Sequence, residues 1–269
     1  MAHEHLMRHL HCLTILLLIP AAVSAQSTVD QARLMFTIGI GETTGGGTLW
    51  TVGNQPFDVA SGVVDTLSVS RHFRNSLDVV FSGTYFPGEH LGFNVEAQLL
   101  GLGTRDSCSL VATQGAAITS DLCSSLNRST RSATSAAVSV GGIYRIWSNQ
   151  PVHPYIRGNL GFVVSQQSFL KTGGSHSTSG GTADLPLYDD GNPANLQPYY
   201  SLGGGVVAVV GRGYQLRFEV RDNWVRVPAI NGPTDRQGLI PGSAPVGKHL
   251  LSFTVGFDVV LERKRGKRY

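Results

Sequence analysis

Lysine is nearly absent from this 269-residue chain: only Lys171, Lys248, Lys264 and Lys267 occur, and charged residues together make up 14 %. The surface of a soluble domain carries interspersed Lys and Glu, so so few of them argue against a water-facing exterior. After the first 25 residues no apolar run approaches the roughly 20 residues a membrane-crossing helix needs, which excludes a helical membrane protein. No Gly-x-Ser-x-Gly elbow and no His-Glu-x-x-His metal pair occur, so the commonest hydrolase and zinc-protease signatures are missing. Cysteine is scarce as well, with three in all.

The formal charge of +3 is concentrated at one end. Arg263, Lys264, Arg265, Lys267 and Arg268 supply five positive charges, and without them the chain from Gln26 to Glu262 carries −2, Glu4 and Arg8 cancelling in the leader. A basic tail on a slightly acidic body does not imply nucleic acid, because a binding domain clusters its cations on one folded face. Residues 263–269 are expected to be a solvated basic tail, with an anionic envelope polymer as the partner it could attract.

What is present begins with a leader. Arg8, the run Leu13-Thr14-Ile15-Leu16-Leu17-Leu18-Ile19 and the small residues Val23-Ser24-Ala25 have the order of a secretory signal, so residues 1–25 are expected to be a signal peptide and 26–262 a single β domain. Of the cysteines, Cys12 lies in the leader. Cys108 and Cys123 remain, and an even pair in an exported protein reads as one disulfide, worth about 3 kcal/mol on the loop-closure model. No histidine or further cysteine lies near enough to complete a zinc site, so neither metal nor cofactor is expected.

Alternation with period two dominates the rest. In Leu251 to Leu261 the odd positions Leu251, Phe253, Val255, Phe257, Val259 and Leu261 are apolar, while Ser252, Thr254, Gly256 and Asp258 intervene. That is a strand with two unlike faces. Gln215 to Val227 repeats the pattern, with Leu216, Phe218, Val220 and Trp224 opposed to Gln215, Arg217, Glu219, Arg221 and Asn223. Further segments are Arg33 to Gly41, Val63 to Phe73, Leu77 to Phe86, Leu91 to Leu102, Ser135 to Trp147, Tyr155 to Phe169 and Tyr199 to Val209. No helix is expected beyond the leader. Connections alternate short and long, the habit of membrane barrels with short periplasmic turns and long extracellular loops.

Nine such segments cannot bring both chain ends to one side. Single-chain bacterial barrels have even strand numbers, so the expectation is eight or ten. Ten is preferred, with Gly47-Thr48-Leu49-Trp50-Thr51-Val52 as a short extra strand; the other solution leaves an early segment outside the barrel.

The polar face is built of small and oppositely charged side chains: Ser82, Asn94, Glu96, Gln98, Ser139, Arg145, Arg157, Asn159, Ser201, Arg217, Glu219, Arg221 and Asp258. Such residues suit a narrow, filled lumen, and charges enclosed there must pair, because an isolated one costs several kcal/mol. The expected lumen network is Glu96, Arg145, Arg157, Arg217, Glu219, Arg221 and Asp258, giving a closed or poorly conducting pore. Tyr85, Phe86, Tyr144, Trp147, Tyr155, Tyr199, Tyr200, Tyr214 and Trp224 sit toward strand ends and are expected to form interfacial girdles.

On Pro154-Tyr155-Ile156-Arg157-Gly158-Asn159-Leu160-Gly161, Leu216-Arg217-Phe218-Glu219-Val220-Arg221-Asp222 and the closing strand Leu251 to Leu261, the chain resembles the OmpA-type small outer-membrane β-barrel superfamily. The resemblance implies an all-β, antiparallel up-and-down transmembrane β-barrel in the cell outer membrane, in contact with outer-membrane lipid and inserted by the barrel assembly machinery. It implies no particular activity. One departure is the end of the chain, where a basic tail follows Leu261 in place of a closing aromatic residue.

A non-enzymatic structural or interaction role is therefore expected, with no catalytic residues. His72, His90, His153, His176 and His249 are scattered without a partner pattern, and Asp189-Asp190 adjoins the turn formers Gly191-Asn192-Pro193. Two other outcomes stay open: a membrane-embedded enzyme acting on lipid or peptide, marked by a convergent His, Ser or acid pair at the loop-side rim, and a soluble periplasmic lipocalin-like barrel, whose greasy faces would be packed inside.

Overall fold

The computed structural model describes residues 31–264 apart from 46, 61–62, 115–116, 132–133, 166–168, 179–180, 191–194 and 212. The expected leader, and the tail beyond Lys264, lie outside the described residues. In chain order the elements are β1 (Gln31–Thr43), β2 (Thr48–Ala60), β3 (Val63–Phe73), β4 (Ser76–Tyr85), β5 (Leu91–Gly101), β6 (Thr104–Ala112) and α1 (Ala117–Arg128). They continue with β7 (Thr130–Arg131), β8 (Thr134–Arg145), β9 (Val152–Ser165), β10 (Thr172–Thr178), β11 (Gly181–Tyr188), β12 (Asn195–Gly211), β13 (Tyr214–Ile230) and β14 (Ser243–Lys264).

Eight strands close into a barrel in the order β1-β14-β13-β12-β9-β8-β5-β4, every neighbouring pair antiparallel. The ring closes where β1 pairs with both β14 and β4, so no edge is left to be satisfied in hydrocarbon. Both strand termini of the barrel meet at one end, Gln31 opposite Lys264. The short connections from β4 to β5, from β8 to β9 and from β12 to β13 lie at that end. The tightest of them contains Gly213 at φ 99°, a left-handed conformation that glycine takes without a Cβ penalty.

The preference for ten strands is wrong. Thr48–Ala60 is indeed a strand, but it pairs with β3 in a separate four-stranded sheet, β2-β3-β6-β7, at the long-loop end. Alternation reports that one face of a strand is covered and is silent about what covers it. For β3 the cover is a cluster of loop residues, with Leu67 and Val69 wholly buried. The expectation of no helix is also wrong: α1 packs on β6 and β10 through Thr119, Leu122, Cys123 and Leu126, a spacing of three, four and seven residues from the first. The long connection after β9 folds as the hairpin β10-β11.

Side-chain direction is settled along the closing strand. Leu251, Phe253, Val255 and Phe257 are 41–49 % exposed, whereas Ser252, Thr254 and Asp258 are buried. The same parity runs round the ring, leaving Phe36, Ile38, Leu160, Phe162, Val138 and Phe218 exposed among many others. Soluble monomers rarely expose contiguous apolar patches beyond a few hundred Å²; a greasy belt round all eight strands is the surface of a membrane-embedded barrel. Tyr85, Tyr144, Trp147, Tyr200 and Tyr214 are exposed at the outer face, but Phe86, Tyr155 and Tyr199 are buried inside, so these three do not belong to a girdle. Two of the four lysines fall within β14, Lys248 near its loop-side end and Lys264 at its last position.

Candidate functional site

Every residue of the polar face is buried, and the seven charged ones occupy the inward parity of five strands, β5, β8, β9, β13 and β14. Six of them make ion pairs in two groups. Glu96 receives both Arg157 and Arg221. Glu219 also receives both: Arg157 Nη1 donates to it at 3.2 Å and Arg221 Nε at 2.7 Å, while the Tyr155 hydroxyl donates at 2.5 Å. Each carboxylate thus bridges two guanidiniums, the arrangement by which buried charges offset their loss of water. The second group is Arg217 with Asp258, held through Nη2 at 2.9 Å and Nε at 3.2 Å. Arg145 joins neither group. It donates to the Ala32 carbonyl at 2.7 Å, lies over the Phe86 ring, and forms no ion pair among the described residues.

Three residues outside the expected network complete this layer. Asp78 accepts both bonds from the Gln98 amide, at 2.9 and 2.8 Å. Tyr199 places its hydroxyl 2.6 Å from Gln98 and 2.6 Å from Asn223, and Asn223 donates on to Ser252. A signal for each was in the sequence: Asp78 shares strand parity with Ser82, Tyr199 with Ser201, and Asn223 with Arg221.

The layer sits between two apolar ones. Toward the chain termini lie Ala32, Met35, Phe86, Ile143, Tyr155 and Val207; the Phe86 ring lies so close over Gly92 that a Cβ there would stand 2.7 Å from it. Toward the long loops, inward residues Leu100, Ala137, Val163, Val225, Val227 and Leu250 merge with Leu49, Trp50, Val52, Phe57 and Leu67 of the loop sheet into one cluster. Within the charged layer a cavity of about 10 Å³ remains, lined by Thr37, Gly39, Val80, Arg157, Arg217, Glu219, Arg221, Thr254 and Gly256. That is room for about one water molecule.

The loop-side module is tied together by polar bonds of its own. Cys108 of β6 and Cys123 of α1 are disulfide-bonded. Arg71 is wholly buried, pairs with Asp106 through Nε and Nη2 at 2.5 and 2.8 Å, and donates to the carbonyls of Phe169 and Lys171. Gln55 joins Tyr188 and Thr234. Asp65 accepts from the Thr119 hydroxyl, the Gln114 N–H and the Thr113 hydroxyl. The Thr119 bond first, then the Gln114 bond, hold its carboxyl below the usual carboxylate range although burial opposes them.

The histidines do not converge. His176 meets Asp121 at 2.9 Å and His249 meets Asp222 at 2.8 Å; neither ring is bonded to a serine hydroxyl among the described residues. The Ser125 hydroxyl beside Asp121 is engaged by Leu122 O and by the Ser175 N–H. His72 touches the hydroxyls of Thr48 and Ser70 and, among the described residues, is bonded to no carboxylate. His90 stacks on Tyr144, and His153 is buried in the barrel. Among the described residues no group of three metal-ligating side chains occurs.

Closure, parity and belt together define a transmembrane up-and-down β-barrel with a folded module at its long-loop end. No family model and no curated protein matches the chain. Among solved structures it is similar to the outer membrane protein AlkL in lipid bilayers, at 14 % identity over 91 % of this chain and 97 % of that one, TM-score 0.42. It is similar also to neisserial surface protein A (11 % identity, 85 % and 96 % covered, TM-score 0.38) and to the protease OmpT of Escherichia coli (10 %, 89 % and 100 %, TM-score 0.35).

Proposed function

We propose that this protein is a non-enzymatic barrel of the cell outer membrane, with a sealed lumen, that holds a rigid disulfide-tied module at the cell surface in a structural or interaction role. The observation that carries the reading is the filling of the barrel's cross-section. Glu96, Glu219 and Asp258 are each bonded by guanidiniums and Asp78 by the Gln98 amide, the layer is bounded above and below by apolar clusters, and the cavity within it has space for about one water. An ion crossing this section has to break paired charges in a water-poor interior, at several kcal/mol each.

The apolar belt supports placement in a membrane, and closed barrels with short turns at the terminal end are the outer-membrane form. A soluble barrel for an apolar ligand requires the opposite parity. Among the described residues the His176–Asp121 pair is bonded to no serine hydroxyl, and the Ser125 hydroxyl is turned to Leu122 O, which argues against nucleophilic catalysis at the loop-side rim. The test is planar-bilayer recording of the refolded chain. The expected trace has no steady open level; a large, sustained conductance would contradict a sealed lumen.

A further inference from the structure

At each edge of the loop sheet β2-β3-β6-β7 a carboxamide side chain stands where a further strand would bond. β7 is two residues long and pairs with Thr104 and Arg105 alone, so among the described residues no strand lies beside β6 from Asp106 to Ala112. In the middle of that stretch Asn127, near the C-terminal end of α1, takes the place of one. The Cys108 N–H donates to Asn127 Oδ1 at 2.7 Å, and Asn127 Nδ2 donates to the Cys108 carbonyl at 3.0 Å. These are the two bonds that a residue of an added antiparallel strand would exchange with Cys108. At the opposite edge Gln237 treats Asp58 of β2 in the same way, accepting from its N–H at 2.8 Å and donating to its carbonyl at 3.4 Å.

The two edges differ in their other protection. β2 is interrupted by three register shifts and holds Asn54 at φ 59°, irregularities that spoil an edge for pairing. β6 runs without a shift from Thr104 opposite Phe73 to Leu110 opposite Leu67. Its stretch Ser107-Cys108-Ser109-Leu110-Val111-Ala112 has no charge, proline or glycine, the composition of a segment prone to pair with its own kind. Leu110 and Val111 are exposed at its end. What covers this edge is α1. The helix is fastened by the Cys108–Cys123 bridge, by the Thr119 hydroxyl donating to Asp65, and by burial of Leu122 and Leu126. Without the bridge, those two leucines are its fully buried apolar hold.

We propose that α1 is an autoinhibitory cover on β6, locked by the disulfide, and that β6 freed from it pairs antiparallel with β6 of a second copy. Bonding direction alternates along an antiparallel strand, so Asp106 and Leu110 point their backbone groups the same way as Cys108. A two-fold axis through Cys108 then sets Asp106 of each copy opposite Leu110 of the other. Such a pair is isologous and closed, using both freed edges and growing no further. Ser107 to Ala112 carries no charge that would repel its own copy or select a foreign strand. The inference concerns the loop-side module and does not depend on the sealed lumen.

The full chain, refolded in detergent micelles, is weighed by sedimentation equilibrium over a range of protein-to-micelle ratios. The oxidised chain is expected to be monomeric throughout, and Cys108→Ser/Cys123→Ser to form dimers. Cys108→Ser/Cys123→Ser/Asn127→Ala should form them on the order of tenfold more tightly, because the competing Asn127 bonds are gone. Adding Leu110→Pro, which removes an outward N–H from an edge strand, should return both variants to monomers. Retained heat-modifiable migration on gels shows that the barrel still folds, and Cys108→Ser/Cys123→Ser alone decides the question if the triple variant does not. Folded bridge-free variants that stay monomeric, an oxidised chain that dimerises as tightly as they do, or dimers that Leu110→Pro leaves intact would each overturn the proposal.

Discussion

Burial decides how much a single charge is worth in this protein. Glu96 is 1 % exposed and bridges two arginines; Glu262 meets Arg33 at 3.3 Å with both side chains over two-fifths exposed. Removing one partner of a buried pair costs about 3–5 kcal/mol, because the other is stranded, whereas an exposed pair is worth about 0–1 kcal/mol. Glu96→Ala should therefore lower the urea midpoint of the vesicle-embedded barrel clearly, and Glu262→Ala hardly at all. Asp65 gives a pH dependence at the same scale. Its carboxyl titrates lower in the folded chain than in the unfolded one, so its stabilising contribution is complete above the unfolded pKa of about 4 and fades as pH falls toward the folded value. Proteolysis of the loop-side module should accelerate as pH drops below about 4 with an acid-active protease. Asp65→Asn should be weaker at neutral pH and lose that dependence; an unchanged pH profile would contradict the assignment.

Single strands and the helix show how far alternation carries a reading. Where one side of a segment meets lipid and the other the lumen, as in Leu251 to Leu261, period two was plain and the parity of each side chain followed. That parity also puts Tyr155 inside with Arg157 and Asn159, so its place among girdle aromatics was a misreading of a signal that was present. Asp78, two residues from Val80 and four from Ser82, was legible in the same way. By contrast β2 and β3 alternate because loop residues cover one of their faces, and nothing local distinguishes that cover from lipid. The helix was hidden because only Leu122, Cys123 and Leu126 mark its buried stripe with apolar groups, amid Ser and Thr that favour other conformations. The Arg71–Asp106 pair joins two strands of the loop sheet and anchors residues about 100 positions on, a contact no local pattern announces. The disulfide fastens that helix to β6. Cys108→Ser/Cys123→Ser should cost the module about 3 kcal/mol, seen as faster cleavage between β6 and β8 while the barrel keeps its resistance; equal protection with and without the bridge would show that the apolar cluster suffices.

At the scale of the molecule, cores of opposite character are stacked along one β cylinder: an ion-paired section at mid-barrel, a small oily one toward the chain termini, and a larger oily one where the long loops fold over the mouth. The membrane makes this possible, since a barrel whose exterior is already in hydrocarbon can spend its inward positions on polar groups. Lipid outside and paired charges inside are thus one claim, and nitroxide labels read its outer half directly. Introduced singly at Leu251, Phe253, Val255 and Phe257 in the disulfide-bonded protein in vesicles, they should show high collision rates with oxygen and low ones with an aqueous nickel complex, the contrast peaking in mid-strand. Labels immobilised and shielded from both reagents, or freely accessible to nickel, would contradict it.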